Sequence, residues 1–569
     1  MTKLHTQYLI DLPSHNIDPS CPESTRVDYW SHRFGISGEF KLRPAQAGAL
    51  TAADMLSQYP GVGAFIQAAV GSGKSLLALL IAQIYPGVQN PLLLVKPSLV
   101  PEIEEQIHIW RPHFKLKVPR IMAYSQLSRP ESTDALRAIA PDLIIADEAQ
   151  SLGNPTSART MRFLRYMESA PGTRFIGMTG TWADKSIAEY AHLIELAIGP
   201  LSPLPKQKRM FNAWRSVLDV KGEPSDSDID RFKPLADHYN IPFGGTSIAR
   251  RDAAREAYFQ RLKSLPGVLL TKKSSCDEPL HIRCVDPGVP VDIEEALDTM
   301  EKMWVLPNGD DVVDGTEYAR HAATLSVGFY NRWDWDAVDA DSEWDKARKE
   351  WASEVRRYLS AHAREGCDSP RLVEDWVRKH QPRNNLTPTL AAWDAVRELQ
   401  APPTIPVWIS YEVMLWAKAW VDALPEPAII WYYSRAVGPM LESLGVQVKY
   451  EKPKPDFRKQ PKVALPITKF GTGHNLQEYR HHLLLEPRPS GKATEQWLGR
   501  SHRGGQDQPV HVDILTATWK QRLAVRDSIL RARFQQKTSG QEQKLLIAEW
   551  HDAPYLITKA LAGHDTEAP

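Results

Sequence analysis

Cysteine is scarce in this chain, with four in 569 residues. Cys21, Cys276, Cys284 and Cys367 form no Cys-x-x-Cys pair and no ligand spacing with histidine, which argues against zinc and disulfides and suits a reducing compartment. Charge of one sign is not in excess either. Lys plus Arg and Asp plus Glu number 69 each, so global basicity does not point to nucleic acid, and any binding groove must come from local clustering. No run approaches the roughly 18 apolar residues of a membrane-spanning helix. The N-terminus offers acids, prolines and histidines instead of a basic start with an apolar core. A cytoplasmic protein with no membrane partner is expected. Internal repeats and low-complexity tracts are also missing. What remains is a globular balance, 42% hydrophobic and 24% charged, on a chain long enough for several domains with proper cores.

Within that ordinary composition, Gln496-Trp497-Leu498-Gly499-Arg500-Ser501-His502-Arg503-Gly504-Gly505-Gln506 places two arginines three residues apart behind a glycine. Alone this could be a solvated basic face. Far upstream, however, lies Ala68-Ala69-Val70-Gly71-Ser72-Gly73-Lys74-Ser75, after a short apolar run at 63–66 and before a stretch, 76–84, that reads as a helix stopped by Pro86. Strand, Gly-rich loop and helix is the order a phosphate-binding loop requires. Backbone N–H groups at Gly71, Ser72 and Gly73 can curl around a β-phosphate, the helix N-terminus adds its dipole, and Lys74 adds a point charge. Ser75 is the candidate Mg²⁺ ligand. Ala68 stands where such loops usually begin with Gly.

The partner carboxylates are found in Asp142-Leu143-Ile144-Ile145-Ala146-Asp147-Glu148-Ala149-Gln150. Residues 143–146 read as a buried parallel strand, which delivers Asp147 and Glu148 to the carboxyl edge, where α/β sheets bind ligands. There Asp147 can orient Mg²⁺ through water, and Glu148 can polarise an attacking water as general base.

In this order the motifs resemble those of superfamily-two helicases, with Asp147-Glu148-Ala149-Gln150 as the D-E-A-x box and Thr179-Gly180-Thr181 as the motif that couples hydrolysis to lobe movement. The likeness is greatest to the Swi/Snf-like branch of double-stranded DNA translocases. Leu42-Arg43-Pro44-Ala45-Gln46 resembles that branch's L-R-P-x-Q entry, which implies that Gln46 reads the adenine edge. Strand 92–95 followed by Lys96-Pro97-Ser98-Leu99 resembles its next strand and nucleic-acid-contacting turn, and Tyr124-Ser125-Gln126-Leu127 resembles the strand after. Ala428-Ile429-Ile430-Trp431-Tyr432-Tyr433-Ser434-Arg435 resembles the first strand of a second lobe. Thr468-Lys469-Phe470-Gly471-Thr472-Gly473-His474-Asn475-Leu476 resembles the T-K-A-G-G-x-G-x-N-L motif but is one residue shorter. Residues 482–486 read as a strand, and His502-Arg503-Gly504-Gly505-Gln506 resembles the branch's H-R-x-G-Q ending.

The resemblance covers roughly residues 38–190 and 405–535. It implies an α/β fold of two RecA-like parallel-sheet lobes with a mainly helical insertion: N-terminal segment 1–37, lobe one 38–195, insertion 196–404, lobe two 405–535 and a C-terminal helical tail 536–569. It further implies a motor using ATP and Mg²⁺, with Lys74 and Glu148 completed by Arg500 and Arg503 from lobe two. Gln496 would serve coupling, and Lys96, Ser98, Ser434 and Thr472 would contact nucleic acid, duplex DNA before RNA. A strand-separating DNA helicase, an RNA helicase and an ATP-regulated protein-remodelling switch are the alternatives, and the insertion is the candidate surface for a protein partner.

Three helices are expected inside the insertion, at 248–265, 314–330 and 342–362, and two in the tail, at 519–535 and 541–550. Arg250, Arg251, Arg255 and Arg261 form a basic helix face whose choices are solvation or phosphate contact. Trp344 and Trp351, at near-helical spacing, read as core in preference to base stacking.

Overall fold

Continuous apolar runs such as Pro-Leu-Leu-Leu-Val and Leu-Ile-Ile-Ala-Asp are suited to parallel strands, because a parallel sheet is covered on both faces and has no side for polar residues. The computed structural model describes residues 14–563 apart from 15–16, 19–20, 38–39, 58, 60, 68–72, 130–133, 181, 271–275, 313–314, 339–341, 363–367, 452, 472–473 and 541. Six of its strands, β1 (Ala64–Gln67), β2 (Pro91–Val95), β3 (Arg120–Ala123), β4 (Leu143–Asp147), β5 (Arg174–Thr179) and β6 (Val268–Leu270), form one sheet in the order β3-β2-β4-β5-β1-β6. Every pairing in it is parallel. Along β4, Leu143 and Ile145 enter one core cluster while Ile144 and Ala146 enter the other, so successive residues feed opposite faces. Each fully buried Leu or Ile contributes about 1.5–3 kcal/mol, which makes this strand a rigid support for the acids at its end.

The second lobe repeats the plan. Its strands are β7 (Leu280–Val285), then, after the antiparallel pair β8 (Phe329–Trp333) and β9 (Thr404–Trp408), β10 (Ala428–Tyr432), β11 (Lys462–Pro466), β12 (His481–Leu484), β13 (Val510–Leu515) and β14 (Glu549–His551). Apart from the β8–β9 pair they form a second parallel sheet, β11-β10-β12-β13-β7-β14. Numbered within itself, each sheet reads 3-2-4-5-1-6. The architecture is therefore two RecA-like α/β lobes of one topology, although the sequence shows no internal repeat.

The chain divides into two compact units, one of residues 1–273, 341–398 and 534–541, the other of 274–340, 399–533 and 542–569. The expected insertion, 196–404, is mainly helical among its described residues, but it also closes the first sheet with β6 and opens the second with β7. A lobe two that begins at 405 thus lacks the strand lying between β13 and β14. Distance along the chain hides this strand, because β7 and its partner β13 are joined by a long excursion.

Within that excursion, helices Ser342–His362, Pro370–His380 and Leu386–Val396 build a small core of their own from Trp351, Val355, Val373, Val377, Leu386 and Leu390. They belong to the first unit, where buried Arg162 donates to both oxygens of buried Asp368, at 2.8 Å from Nη2 and 3.2 Å from Nε. Trp344 and Trp351 are buried, as their spacing predicts.

Other local expectations shift. The strand expected at 124–127 is a helix, Tyr124–Ser128, that follows β3. The helix expected at 314–330 stops as Gly315–Leu325, and Gly328, with φ of +100°, turns the chain into β8. The helix expected at 541–550 is a short turn, Lys544–Ile547, followed by β14, a strand too brief to show alternation. The basic helix, Ser247–Lys263, spends its arginines inside the first lobe. Arg250 pairs with Asp226 and Asp230, Arg251 and Arg255 donate to the closing carbonyls of helix Lys208–Leu218 and the next residue, and Arg261 is buried against Ser264. Those contacts satisfy helix-end carbonyls that would otherwise lack partners.

Candidate active site

In the first lobe, β1, β4 and β5 run parallel and end at one edge, and the predicted catalytic groups follow from those ends. Residues 68–72, which include Gly71 and Ser72 of the phosphate loop, and Thr181 lie outside the described residues. The loop's last glycine is described. Gly73 has φ of +80°, a conformation that favours glycine, and a Cβ there would meet Gln46 Nε2 at 2.4 Å and displace that side chain. Gln46, itself buried, donates to the Gly73 carbonyl at 3.1 Å and accepts from the Arg43 amide at 2.9 Å. The side chain assigned to adenine therefore touches the loop that would hold the phosphates. Helix Lys74–Ile81 starts immediately afterwards, with Lys74 and Ser75 half-buried on its first turn.

Asp147, the last residue of β4, is buried, and Glu148 turns the chain sharply with φ of +58°. A non-glycine residue in this region costs on the order of 1 kcal/mol or more, which fixes the glutamate's direction just past the strand. Lys74 Nζ lies 3.8 Å from Glu148 Oε1. Burial first, and then the neighbouring Glu148 charge, push the Asp147 carboxyl up to about 6, against the opposing pull of Lys74 and Lys96. Its Oδ1 is buried without a hydrogen-bond partner among the described residues. A carboxylate in that state favours a cation, and this orphaned oxygen beside Lys74 and the Ser75 helix start fits the residues to a Mg²⁺–nucleotide. Tyr124 Oη donates to the Asp147 carbonyl at 2.9 Å and holds the strand end from behind.

A relay leaves this pair. Gln150 Nε2 donates to Glu148 Oε2, and Thr179 Oγ1 donates to Gln150 Oε1 at 2.5 Å. The candidate base is thus joined through Gln150 to the first residue of the expected coupling motif. Sequence reading names Gln150 only as part of the acidic box. Its role becomes visible when β4 and β5 lie side by side, with Asp147 paired to Met178. Lys96 is half-buried and acts on Asp147, whereas Ser98 is exposed on the turn Pro97–Leu99.

In the second lobe, helix Gly491–Leu498, capped by Ser490, carries Gln496 and leads into the arginines. Arg500 is buried and donates to the carbonyls of Gln496 at 3.0 Å and His474 at 3.5 Å. Arg503 is half-buried on the following turn. Gln477 donates to the Arg503 and Gly504 carbonyls, and Gln506 donates to the Gln477 and Ser501 carbonyls. The end of the preceding motif also packs here, because the Leu476 amide donates to the Arg500 carbonyl and Ser501 Oγ donates to the Leu476 carbonyl.

His502 points inward, with Nε2 2.7 Å from the Glu278 carbonyl and Nδ1 3.4 Å from Lys544 Nζ. Burial and the Lys544 charge lower it to about 4, so it is a neutral structural group. Thr472 lies outside the described residues. Ser434, assigned to nucleic acid from the sequence, is engaged locally. Its amide and that of Tyr433 donate to buried Glu486 at 2.8 and 2.7 Å, and its hydroxyl donates to the same carboxylate at 2.5 Å. From sequence, Glu486 reads only as the close of a strand, and in the structure it lies beyond the end of β12.

No family model matches this chain, and no curated protein matches it. Among solved structures it is similar to the SWI2/SNF2 ATPase core of Sulfolobus solfataricus in complex with double-stranded DNA. The two share 14% identity over 89% of this chain and 94% of that one, with a TM-score of 0.30.

Proposed function

We propose that this protein is an ATP-dependent motor that moves along nucleic acid, with duplex DNA as its track. The observation that carries the reading is the Lys74–Glu148–Gln150–Thr179 connection at the carboxyl edge of the first sheet. It joins the candidate phosphate-binding lysine, the candidate base and the candidate coupling residue in one polar network. Lys74 would bind the β- and γ-phosphates, and Gln46 would report on the base through its bond to Gly73. Ser75 and Asp147 would hold Mg²⁺, which supplies charge neutralisation on the phosphates when bound. Glu148 would take the proton of the attacking water, and the Gln150 bond keeps its carboxylate turned toward that task.

Arg500 and Arg503 would be the second lobe's cations for the charge that develops on the transferred phosphoryl group. Gln496, one helical turn before Arg500, would couple their approach to the state of the nucleotide. Lys96, Ser98 and Thr472 remain the proposed nucleic-acid contacts, whereas Ser434 is better read as part of the Glu486 turn. Repeated assembly and release of the two half-sites would become stepping.

The test is the steady-state ATPase rate with no nucleic acid, single-stranded DNA, duplex DNA and RNA, all at one salt concentration because phosphate contacts make affinity salt-dependent. Stimulation greatest with duplex DNA is expected. A rate indifferent to every nucleic acid would transfer the motor to a protein partner, and preferential RNA stimulation would reassign the track.

A further inference from the structure

The second sheet carries an unexpected cluster at the edge where its strands begin, opposite the carboxyl ends. His281 is the second residue of β7 and Glu549 the first of β14, and the register pairs them directly across two parallel strands. Neighbours in register present their side chains on the same face, and His551, two residues beyond Glu549, returns to that face by the two-residue period of a strand. The topology thus brings two imidazoles and a carboxylate together from positions about 270 residues apart. His281 Nδ1 lies 3.1 Å from Glu549 Oε2 and 3.5 Å from His551 Nε2, and the three ligand atoms all lie within 4.8 Å of one another.

Those separations have a chemical meaning. Zinc binds imidazole nitrogen and carboxylate oxygen at about 2.0–2.2 Å in tetrahedral geometry, so two ligands of one ion stand about 3.3–3.5 Å apart. The two separations from His281, 3.1 and 3.5 Å, lie close to that value, and the third pair lies within 4.8 Å. Two nitrogen donors with one oxygen disfavour Mg²⁺ and Ca²⁺ and suit a divalent transition metal. Around the set, the His511 ring stacks on His281 at 4.9 Å and 13°, and His481 stacks on His511 at 5.1 Å and 9°, which fixes the plane of the central ligand. Arg283, across from His551 in register, has its charge taken by Asp513 at 2.6 Å.

We propose that His281, Glu549 and His551 form a binding site for one divalent transition-metal ion of the zinc type, with a fourth position open to solvent. The ion would fasten β14, an edge strand of three residues, to β7. The segment it fastens includes Lys544, which meets the Glu495 carboxylate and His502 beside the arginine pair. The proposal stands independently of the ATPase reading. The cysteine spacing could not point to it, because no cysteine takes part and the ligands come from opposite ends of the second lobe.

The test uses the untagged full-length protein, stripped with EDTA, dialysed and titrated with Co²⁺ alone. The expected result is one Co²⁺ per chain with the visible absorption of a low-symmetry tetrahedral site, displaced by Zn²⁺, and a Zn²⁺-dependent rise in the unfolding midpoint. Both signals should be lost in His281→Ala and His551→Ala, weakened in the nearly isosteric surface variant Glu549→Gln, and kept in His511→Phe, which preserves the stacked ring. Absence of a Co²⁺ band in the wild type, or a band undiminished in Glu549→Gln and His551→Ala together, would overturn the assignment.

Discussion

The two lobes share a strand order and differ in what they place at their edges. The first sheet ends in groups of opposite charge that are already wired together, Lys74 beside Glu148 and Glu148 through Gln150 to Thr179. The second holds its arginines by backbone carbonyls, as with Arg500 on Gln496 and His474, and surrounds them with neutral or buried groups such as His502 and Glu495. On the proposed reading, one topology serves two tasks. A carboxylate base needs a preset direction and a tuned environment, whereas a guanidinium, charged at every accessible pH, needs only to be delivered in the right place.

The hardest test of that contrast is Arg503→Ala. If the second lobe's contribution is a delivered charge, ATP hydrolysis should fall about a thousandfold or more, while nucleotide binding, measured by fluorescent-nucleotide titration, stays near that of the wild type. Unchanged hydrolysis would remove the arginines from the site. Glu148→Gln probes the first lobe in the same assay. Loss of a general base should lower turnover on the order of a hundred- to a thousandfold, with ATP binding retained because Lys74 and the loop are untouched. Gln150→Ala should cost less, because that group only orients the base, and should reduce stimulation by nucleic acid more than the basal rate.

The same contrast explains what could be read from sequence. The first lobe's site is nearly local, since a Gly-rich run before a helix and an acid pair after an apolar strand each carry their geometry within about ten residues. The strand read at 143–146, the helix read at 76–84, which the structure places at Lys74–Ile81, and the RecA-like lobes are legible for that reason. Gln150, Glu486 and the β7–β14 pair are not. Their meaning depends on which strands become neighbours, and β7 meets β13 and β14 only after more than two hundred intervening residues. The arginines of Ser247–Lys263 show the opposite limit. A basic helix face and a set of helix-end caps have the same sequence pattern, and only the arrival of helix Lys208–Leu218 decides between them.

Stability offers a further way to separate the lobes. Asp368→Ala leaves Arg162 buried without its carboxylate, and removal of one partner of a buried pair costs about 3–5 kcal/mol. Pulsed hydrogen exchange read by mass spectrometry should show the loss in peptides from β2 and β4 and leave β10 and β12 unmoved. Equal loss in both sets would mean that the lobes unfold as one unit, and the contrast between them would fail as a statement about stability.

Acid should act in the reverse direction, and more mildly. In the second lobe His482 is buried, accepts from Trp431 Nε1 at 3.0 Å and neighbours His481. Burial lowers it to about 3, and burial with the Lys544 charge lowers His502 to about 4. Both folded values lie below the roughly 6.5 of an unfolded histidine, so the unfolded chain binds protons that the folded lobe refuses. Their contribution to stability is complete above that value and is lost as pH falls from about 6.5 toward the folded values, at about 1.4 kcal/mol per pH unit for each histidine. Glu495, raised by burial, has the opposite sign and returns part of this loss where it takes up a proton in the folded state. His482→Asn isolates the effect, because the amide oxygen can accept from Trp431 as Nδ1 does while having nothing to titrate. Measured by hydrogen exchange in the β10 and β12 peptides of the intact protein across urea titrations between pH 6.5 and 4.5, the variant's stability should fall less steeply than the wild type's by about 1.4 kcal/mol per pH unit in the lower half of that range. Parallel slopes would mean that His482 takes up a proton in the folded lobe, and burial would then not be what keeps this imidazole neutral.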